Sequence, residues 1–184
     1  MTGRFAGLAA AALAMAGIAL PAGGSPAAVA PPAYTVAAAT AEPAALLAAD
    51  EAAWAGASMI AWRPAPYETR FRAAWSRAGL FLRFDANDPS PWHTMTRKDE
   101  HLWDEEVVEI FLDPDRSGRD YYELEINALN TTWDLFLPKP YRFGGKAQNS
   151  WESPGMRTAV HEIRRSGISR IFRFSLTTFH SSLV

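Results

Sequence analysis

The 184-residue chain contains no cysteine. This absence excludes a disulfide scaffold, a thiolate zinc site and a lipidated cysteine. An excess of charge is also lacking, since the formal net charge is −2. No basic stripe that would follow phosphates is present, so we expect no nucleic-acid partner. The remaining composition, with 48% hydrophobic residues, fits one globular domain of ordinary size.

The first thirty residues have the three-part pattern of a secretory signal peptide. Residues 1–4 are a short basic start, residues 5–20 are an uncharged apolar run, and small and helix-breaking residues follow. The run is shorter than a comfortable membrane span, although an uncleaved N-terminal anchor is the alternative. We predict a signal peptide over 1–30 and a secreted or periplasmic protein without membrane attachment after cleavage.

The rest of the chain divides into a short linker and one domain. Residues 31–49 are rich in Ala and Pro and are expected to be a linker, with "AALLAAD" as one helical turn. Residues 50–184 show short alternating runs separated by turn residues, which predicts an all-β antiparallel β-sandwich. The predicted strands cover 68–75, 79–88, 106–113, 121–127, 132–137 and 156–163.

The segment "LWDEEVVEIFLD" at 102–113 places acids among strand-forming residues. If Leu112 lies opposite Asp120 on the next strand, the apolar residues of both strands share one face, and a slip by two residues keeps the same faces. Turning Trp133 and Leu135 of the following strand toward the core adds Asp134 to the other face. Five polar side chains are then predicted on that outward face: Glu109, Glu123, Glu125, Asn127 and Asp134.

Like charges across a strand pair destabilise a sheet, by up to about 1 kcal/mol per pair. Three kinds of partner would compensate the acids. The arginines of neighbouring strands, Arg70, Arg72 or Arg83, would form ion pairs with them. A calcium ion would bind them. Otherwise the face is a polar sugar cleft, whose carboxylates accept hydrogen bonds from hydroxyls.

The same segment resembles carbohydrate-binding family 9 and its DOMON-like relatives. "LWDEEVVEIFLD" is similar to the family's Trp-x-x-Asp-x-Val-Glu-Ile-Phe-x-Asp stretch, and "LEIN" and "TTWDLF" fit the same pattern. The similarity covers about residues 50–160. It implies a β-sandwich of jelly-roll type that binds oligo- or polysaccharide. It also implies no catalysis, as in an accessory domain associated with glycoside hydrolases.

The resemblance also implies site residues. Trp103 would stack on a sugar ring, Glu109 would hydrogen-bond sugar hydroxyls, and Asn127 on the next strand would contribute. The family's sugar-binding arginine falls at Glu125, so that contact is lost or inverted. The second tryptophan of the family's clamp lies near its C-terminus, whereas this chain has no tryptophan after Trp151.

The remaining aromatic residues divide between loops and core. Trp92 lies in a long loop and is a candidate for the other wall of a sugar site. Trp151 and Tyr141, in the loop 138–155, are further binding candidates, because loop aromatics offer a flat apolar surface with a polar handle. The other four tryptophans are assigned to the core: Trp54, Trp62, Trp75 and Trp133.

Two other chemistries are weaker. "DPDRSGRD" begins like a calcium loop, with Asp113, Asp115 and Asp120, but the twelfth position is Leu124, so a hairpin turn is favoured and calcium stays open as a cofactor candidate. Glu109 and Glu123 could stand at the spacing of a retaining glycosidase. Because one small sandwich offers little cleft, we expect no enzyme.

The runner-up function is that of a b-type haem-binding, DOMON-like electron-transfer or sensor module. It depends on four possible ligands in one loop: His93, Met95, Lys98 and His101.

The C-terminal residues 162–184 are atypical for the family. After Glu162 the chain is basic and has no acid. "ISRIFRFSL" alternates as a divergent final strand would. A truncated or shifted reading frame would instead leave the sandwich without its last strands and with an open edge.

Overall fold

The computed structural model describes residues 33–48, 50–62, 66–153, 155–164 and 170–178, so the predicted signal peptide lies outside the described residues. Short 3-10 turns cover Ala52–Trp54, Leu102–Asp104 and Tyr141–Phe143. The described ranges contain one α-helix and nine strands: α1 Pro43–Leu47, β1 Ala37–Ala38, β2 Ile60–Trp62, β3 Thr69–Ser76, β4 Gly79–Asp88, β5 Val107–Leu112, β6 Tyr121–Asn127, β7 Thr132–Leu137, β8 Arg157–Arg164 and β9 Arg170–Thr178.

The strands form two sheets. The six-stranded sheet has the order β1-β3-β4-β9-β8, with β2 also paired to β3. The three-stranded sheet has the order β5-β6-β7. Every pairing is antiparallel except that of β1 with β3. The predicted all-β sandwich is therefore confirmed.

The main core lies between the two sheets and receives side chains from both, as a sandwich requires. Its ring-to-ring contacts include Phe71 on Phe84, with centroids 4.9 Å apart. The buried members are Phe71, Ala73, Leu82, Phe84, Phe172, Phe174 and Leu176 of the six-stranded sheet and Ile110, Leu124 and Ile126 of the three-stranded sheet.

In the three-stranded sheet, the side chains of β5 and β6 lie on the predicted faces. The side chains of β7 lie on the faces opposite to those predicted. Leu112 pairs with Tyr122, two residues from the predicted partner Asp120, and the faces are unchanged as the period of two requires. In β7, however, Trp133 lies opposite Glu125, so it shares the acidic face, and Asp134 points the other way. The prediction that Asp134 joins the acids was wrong.

Both ends of the described chain take part in the fold. In contrast to the expected linker, Tyr34 packs on the main core and Leu46 of α1 is 1% exposed. The predicted helical turn is present as α1. The alternating C-terminal stretch forms β9, which pairs with β4 on one side and β8 on the other.

The prediction that Trp75 belongs to the core was wrong, because its side chain is 48% exposed. It lies on the same face of β3 as Phe71 and Ala73, as alternation predicts. The three-stranded sheet is smaller than its partner and does not cover every inward position. Within the described ranges, no helix has the length and hydropathy needed to cross a bilayer.

Candidate functional site

The candidate site lies on the outer face of the three-stranded sheet, the face that points away from the main core. Glu109 of β5 pairs with Glu125 of β6, and Phe111 pairs with Glu123. One carboxylate oxygen from each glutamate lies within 4.8 Å of one from each of the others. We call Glu109, Glu123 and Glu125 the glutamate cluster.

The cluster runs from the surface into the protein. Glu109 is exposed, whereas Glu123 is 4% and Glu125 is 1% exposed. The two inner residues are buried because the outer face carries a second apolar cluster made by β7 and by the turn at Leu102. Its buried members are Leu102, Trp133, Leu135 and Leu137.

Burial and repulsion between carboxylates raise the pKa values of the two buried glutamates, Glu123 and Glu125. Burial, together with the neighbouring Glu109, raises the pKa of Glu123 to about 8. Burial and the Glu109 charge likewise raise the pKa of Glu125 to about 8. The hydroxyl of Tyr141 lies 3.4 Å from Glu123 Oε2, and partial burial and that carboxylate raise the pKa of Tyr141. Without a counter-charge, the raised pKa values favour the protonated forms of Glu123 and Glu125.

The arginines proposed as partners of the acids are engaged elsewhere. Arg83 is 1% exposed and binds Asp85 at 2.8 Å and Glu51 at 2.5 Å, on the outer side of the six-stranded sheet. Arg72 also pairs with Glu51, and Arg70 pairs with Glu68. Among the described residues, no lysine, arginine or histidine forms an ion pair with the glutamate cluster within 4.0 Å.

An exposed tryptophan lies over the same face. Trp103 belongs to the 3-10 turn before β5, and its ring contacts the buried Trp133 with centroids 4.5 Å apart. His101 stacks on Trp103, also at 4.5 Å and with an interplanar angle of 20°. Despite these two contacts, Trp103 is 45% exposed. The outer face therefore combines an indole, contacted by two other aromatic rings, with carboxylates.

Comparison with known families agrees with this arrangement. The sequence profile of carbohydrate-binding family 9 matches residues 41–135, more than half of the 184-residue chain. The chain belongs to carbohydrate-binding family 9. The matched stretch contains Trp103, the glutamate cluster and Trp133. No match was found among curated proteins or solved structures.

Family membership establishes the general activity of this family 9 module. It is a carbohydrate-binding module, and carbohydrate is its ligand class. Modules of this kind bind without catalysis, which agrees with the expectation that the chain is not an enzyme. An association with glycoside hydrolases stays a prediction.

Two of the other predicted site residues of the module have internal roles. Asn127 is fully buried; its amide donates to the Met95 carbonyl at 2.8 Å and accepts from Leu129 and Thr131 nitrogens at 3.0 Å. It therefore fixes the turn between β6 and β7. Trp151 packs against the main core and on Tyr122, with centroids 4.6 Å apart, so it lies on the side opposite to Trp103.

The two remaining candidates are exposed. Trp92 is 59% exposed, and its backbone nitrogen donates to Glu106 Oε2 at 2.7 Å, which fixes it beside the start of β5. Tyr141 is 52% exposed and, through Glu123, touches the glutamate cluster. The structure thus brings Tyr141 to the outer face with Trp103 and Glu109.

The predicted calcium loop is organised as a hairpin turn. Asp113 Oδ2 accepts from the Gly118 nitrogen at 2.8 Å, and Asp115 Oδ1 accepts from the Ser117 nitrogen at 2.9 Å. Asp120 has a positive φ of 50° just before β6. These carboxylates cap turn amides, and calcium at this loop stays a prediction.

The four side chains of the haem alternative are engaged in different places. His93 contacts Phe172 of the main core, whereas Met95 packs in the outer apolar cluster. Lys98 bridges Asp134 and Glu152, both at 2.8 Å, and His101 stacks on Trp103.

Two residues of the outer face, Glu123 and Trp133, are absent from the binding set that the sequence predicts. Glu123 was placed on the acidic face but not in the binding set, and Trp133 was assigned to the main core. Each had a signal in the sequence. Glu123 is two residues from Glu125, so both lie on the same face of β6. Trp133 and Asp134 are adjacent in β7, so one of these two residues had to share the acidic face.

Proposed function

We propose that this module stacks a sugar ring on Trp103 and binds the sugar's hydroxyls through Glu109. The observation that carries the proposal is the position of an exposed indole and an exposed carboxylate on one sheet face. Sugars present apolar C–H faces and polar edges, which suit an aromatic ring and a charged acceptor respectively.

The surroundings of Trp103 support this role. An exposed indole loses side-chain freedom when it binds a ligand, and fixing it beforehand reduces that cost. Here His101 stacks on one face of the ring and Trp133 supports it from the buried cluster. Glu109 lies on the exposed edge strand β5, where its carboxylate is accessible.

The other predicted residues take supporting positions in this proposal. Tyr141 borders the site near Glu123, and Trp92 is the candidate for a second wall. Asn127 holds the turn and, through the Met95 carbonyl, the loop that precedes Trp103. Glu125 lies beneath the surface of the site. Trp151 packs in the main core, so it supports the sheet and does not contact the sugar.

A glycan array followed by titration calorimetry on the best ligand tests the proposal. Trp103→Ala should weaken binding about fivefold or more, since loss of stacking on one ring costs about 1–3 kcal/mol in comparable aromatic sites. Trp75→Ala is the matched control, because Trp75 is equally exposed, at 48% against 45%, but lies on the other sheet. If Trp103→Ala leaves the isotherm unchanged, or if Trp75→Ala weakens binding equally, the outer face is not the sugar site.

We also propose that the module acts outside the cytoplasm. The support is the three-part pattern over residues 1–30. Expression of the full chain in a bacterial host should yield a processed protein in the periplasm or medium. Its N-terminal sequence should begin after the apolar run, and an intact N-terminus in the cytoplasm would contradict the proposal.

A further inference from the structure

The glutamate cluster holds three carboxylates with no described basic partner. Glu125 lies directly across from Glu109, an arrangement that repulsion disfavours. Burying an unpaired carboxylate costs far more than placing one on the surface. A site that places two of its three carboxylates below 5% exposure therefore requires a compensating positive charge or protons.

One atom of the cluster points to a ligand independently of the charge count. Glu125 Oε2 is buried and has no hydrogen-bond partner. Buried polar atoms are nearly always paired, so an unpaired carboxylate oxygen at 1% exposure calls for a missing partner. The carboxylate to which it belongs converges with those of Glu109 and Glu123.

The chemistry of the cluster favours one class of ligand, and its spacing accommodates that ligand. Two oxygens bound to one Ca²⁺ at about 2.3–2.6 Å lie at most about 4.6–5.2 Å apart, which accommodates the 4.8 Å limit of the cluster. Mg²⁺ keeps several waters and usually binds only one or two carboxylates, whereas Ca²⁺ takes six to eight oxygen ligands. An all-carboxylate set also differs from the nitrogen and sulfur ligands common at zinc sites.

We propose that Glu109, Glu123 and Glu125 bind one Ca²⁺ ion on the outer face of the three-stranded sheet. Three carboxylates provide up to six oxygens, and Ca²⁺ takes six to eight. The exposure of Glu109 gives the ion a route from solvent. This inference concerns the same face as the proposed sugar site but does not depend on sugar binding.

Terbium(III) and calcium titrations of the full chain test the site. Terbium binds at oxygen-rich calcium sites, and the neighbouring Trp133 and Trp103 should sensitise its luminescence. Calcium should displace it with a stoichiometry of one ion per chain, whereas magnesium should displace it much less effectively. Glu125→Gln should weaken binding at least tenfold, because loss of even an outer-shell partner of a metal costs about 10–100-fold.

Two further variants make the test decisive. Glu109→Gln changes an exposed residue, so it should fold normally and still lose at least tenfold in affinity. Asp115→Asn alters the 113–120 hairpin, the other acidic loop, and should bind terbium like the unmodified protein. Absence of binding at millimolar calcium would overturn the proposal and leave protons as the compensation. Binding that depends on Asp115 but not on Glu109 would place the ion at the hairpin and also overturn it.

Glycan binding in calcium and in EDTA separates this proposal from the previous one. If calcium binding is absent but Trp103-dependent glycan binding persists, only the calcium site is refuted. If calcium binds with the expected dependence on Glu109 and Glu125 but Trp103→Ala leaves glycan binding intact, only the sugar site is refuted.

Discussion

Raising the pH in the absence of calcium should destabilise the fold, because two buried glutamates must lose their protons. Burial and the neighbouring Glu109 raise the pKa of Glu123 and of Glu125 from 4.5 to about 8. In the unfolded chain both carboxyls ionise near 4.5, so between these values the folded state binds more protons. The resulting stabilisation is fully present below the unfolded pKa and is lost as the pH rises through about 8.

The burial of both residues sets the size of the effect. One pKa unit corresponds to about 1.4 kcal/mol, so one fully shifted carboxyl would account for roughly 5 kcal/mol. Glu123 and Glu125 share Glu109 as a neighbour and titrate together, so we expect a loss on this order for the pair rather than twice as much. For a domain of this length, the melting temperature should then fall by about 10–20 °C.

Thermal unfolding followed by circular dichroism, in EDTA from about pH 5 to about pH 9, measures this loss. Glu125→Gln is the control, because glutamine stays neutral and should make the fall shallower. A melting temperature that stays level or rises over this range would refute the reasoning. So would a Glu125→Gln variant whose fall is as steep as that of the unmodified protein.

Three further predictions concern the parts of the fold that support this face and its partner sheet. Leu46→Ala should cost about 2–5 kcal/mol in urea unfolding, since Leu46 is 1% exposed; a loss below about 0.5 kcal/mol would mean that α1 is not docked. Arg83→Met should destabilise more than Arg72→Met, because Arg83 is 1% exposed and pairs with both Asp85 and Glu51, whereas the less buried Arg72 pairs with Glu51. Equal effects by the same assay would contradict that ranking. Asn127→Ala should cost about 1–3 kcal/mol and speed amide exchange at Leu129 and Thr131, whereas unchanged exchange would show that the turn does not depend on the side chain.

Alternation predicted the strands and the faces of β5 and β6 because these properties are local. The predicted orientation of β7 was wrong because that strand carries large apolar residues on both sides, so either face could have met the core. Trp133 and Leu135 point to the outer cluster, whereas Phe136 contacts Tyr122 on the inner side. A period of two shows that two faces differ but not which one meets the other sheet. The partner of Asp134, Lys98, is distant in sequence and gives no local signal.

The candidate site was predictable only in part for the same reason. Trp103 and Glu109 belong to one short segment, so their proximity follows from the sequence. Tyr141 contacts Glu123 from a separate loop, which the sequence pattern does not place near β6. Away from the site, the burial of Leu46 could not be predicted either, because its helix has five residues and is too short to show periodicity. Trp75 was misassigned because alternation gives a residue's face but not whether the opposite sheet extends over it.

The chemistry of the outer face follows from the residue at position 125. The resemblance to family 9 implies an arginine there, and an arginine across from Glu109 would form a cross-strand ion pair. An ionised glutamate at the same position, 1% exposed, changes the local charge from +1 to −1 and makes the pair repulsive. One bound divalent cation would supply the two positive charges by which an arginine and an ionised glutamate differ. In the proposed calcium site, the bound ion would replace the positive charge of that arginine, and the convergence of the Glu109, Glu123 and Glu125 carboxylates supports this role.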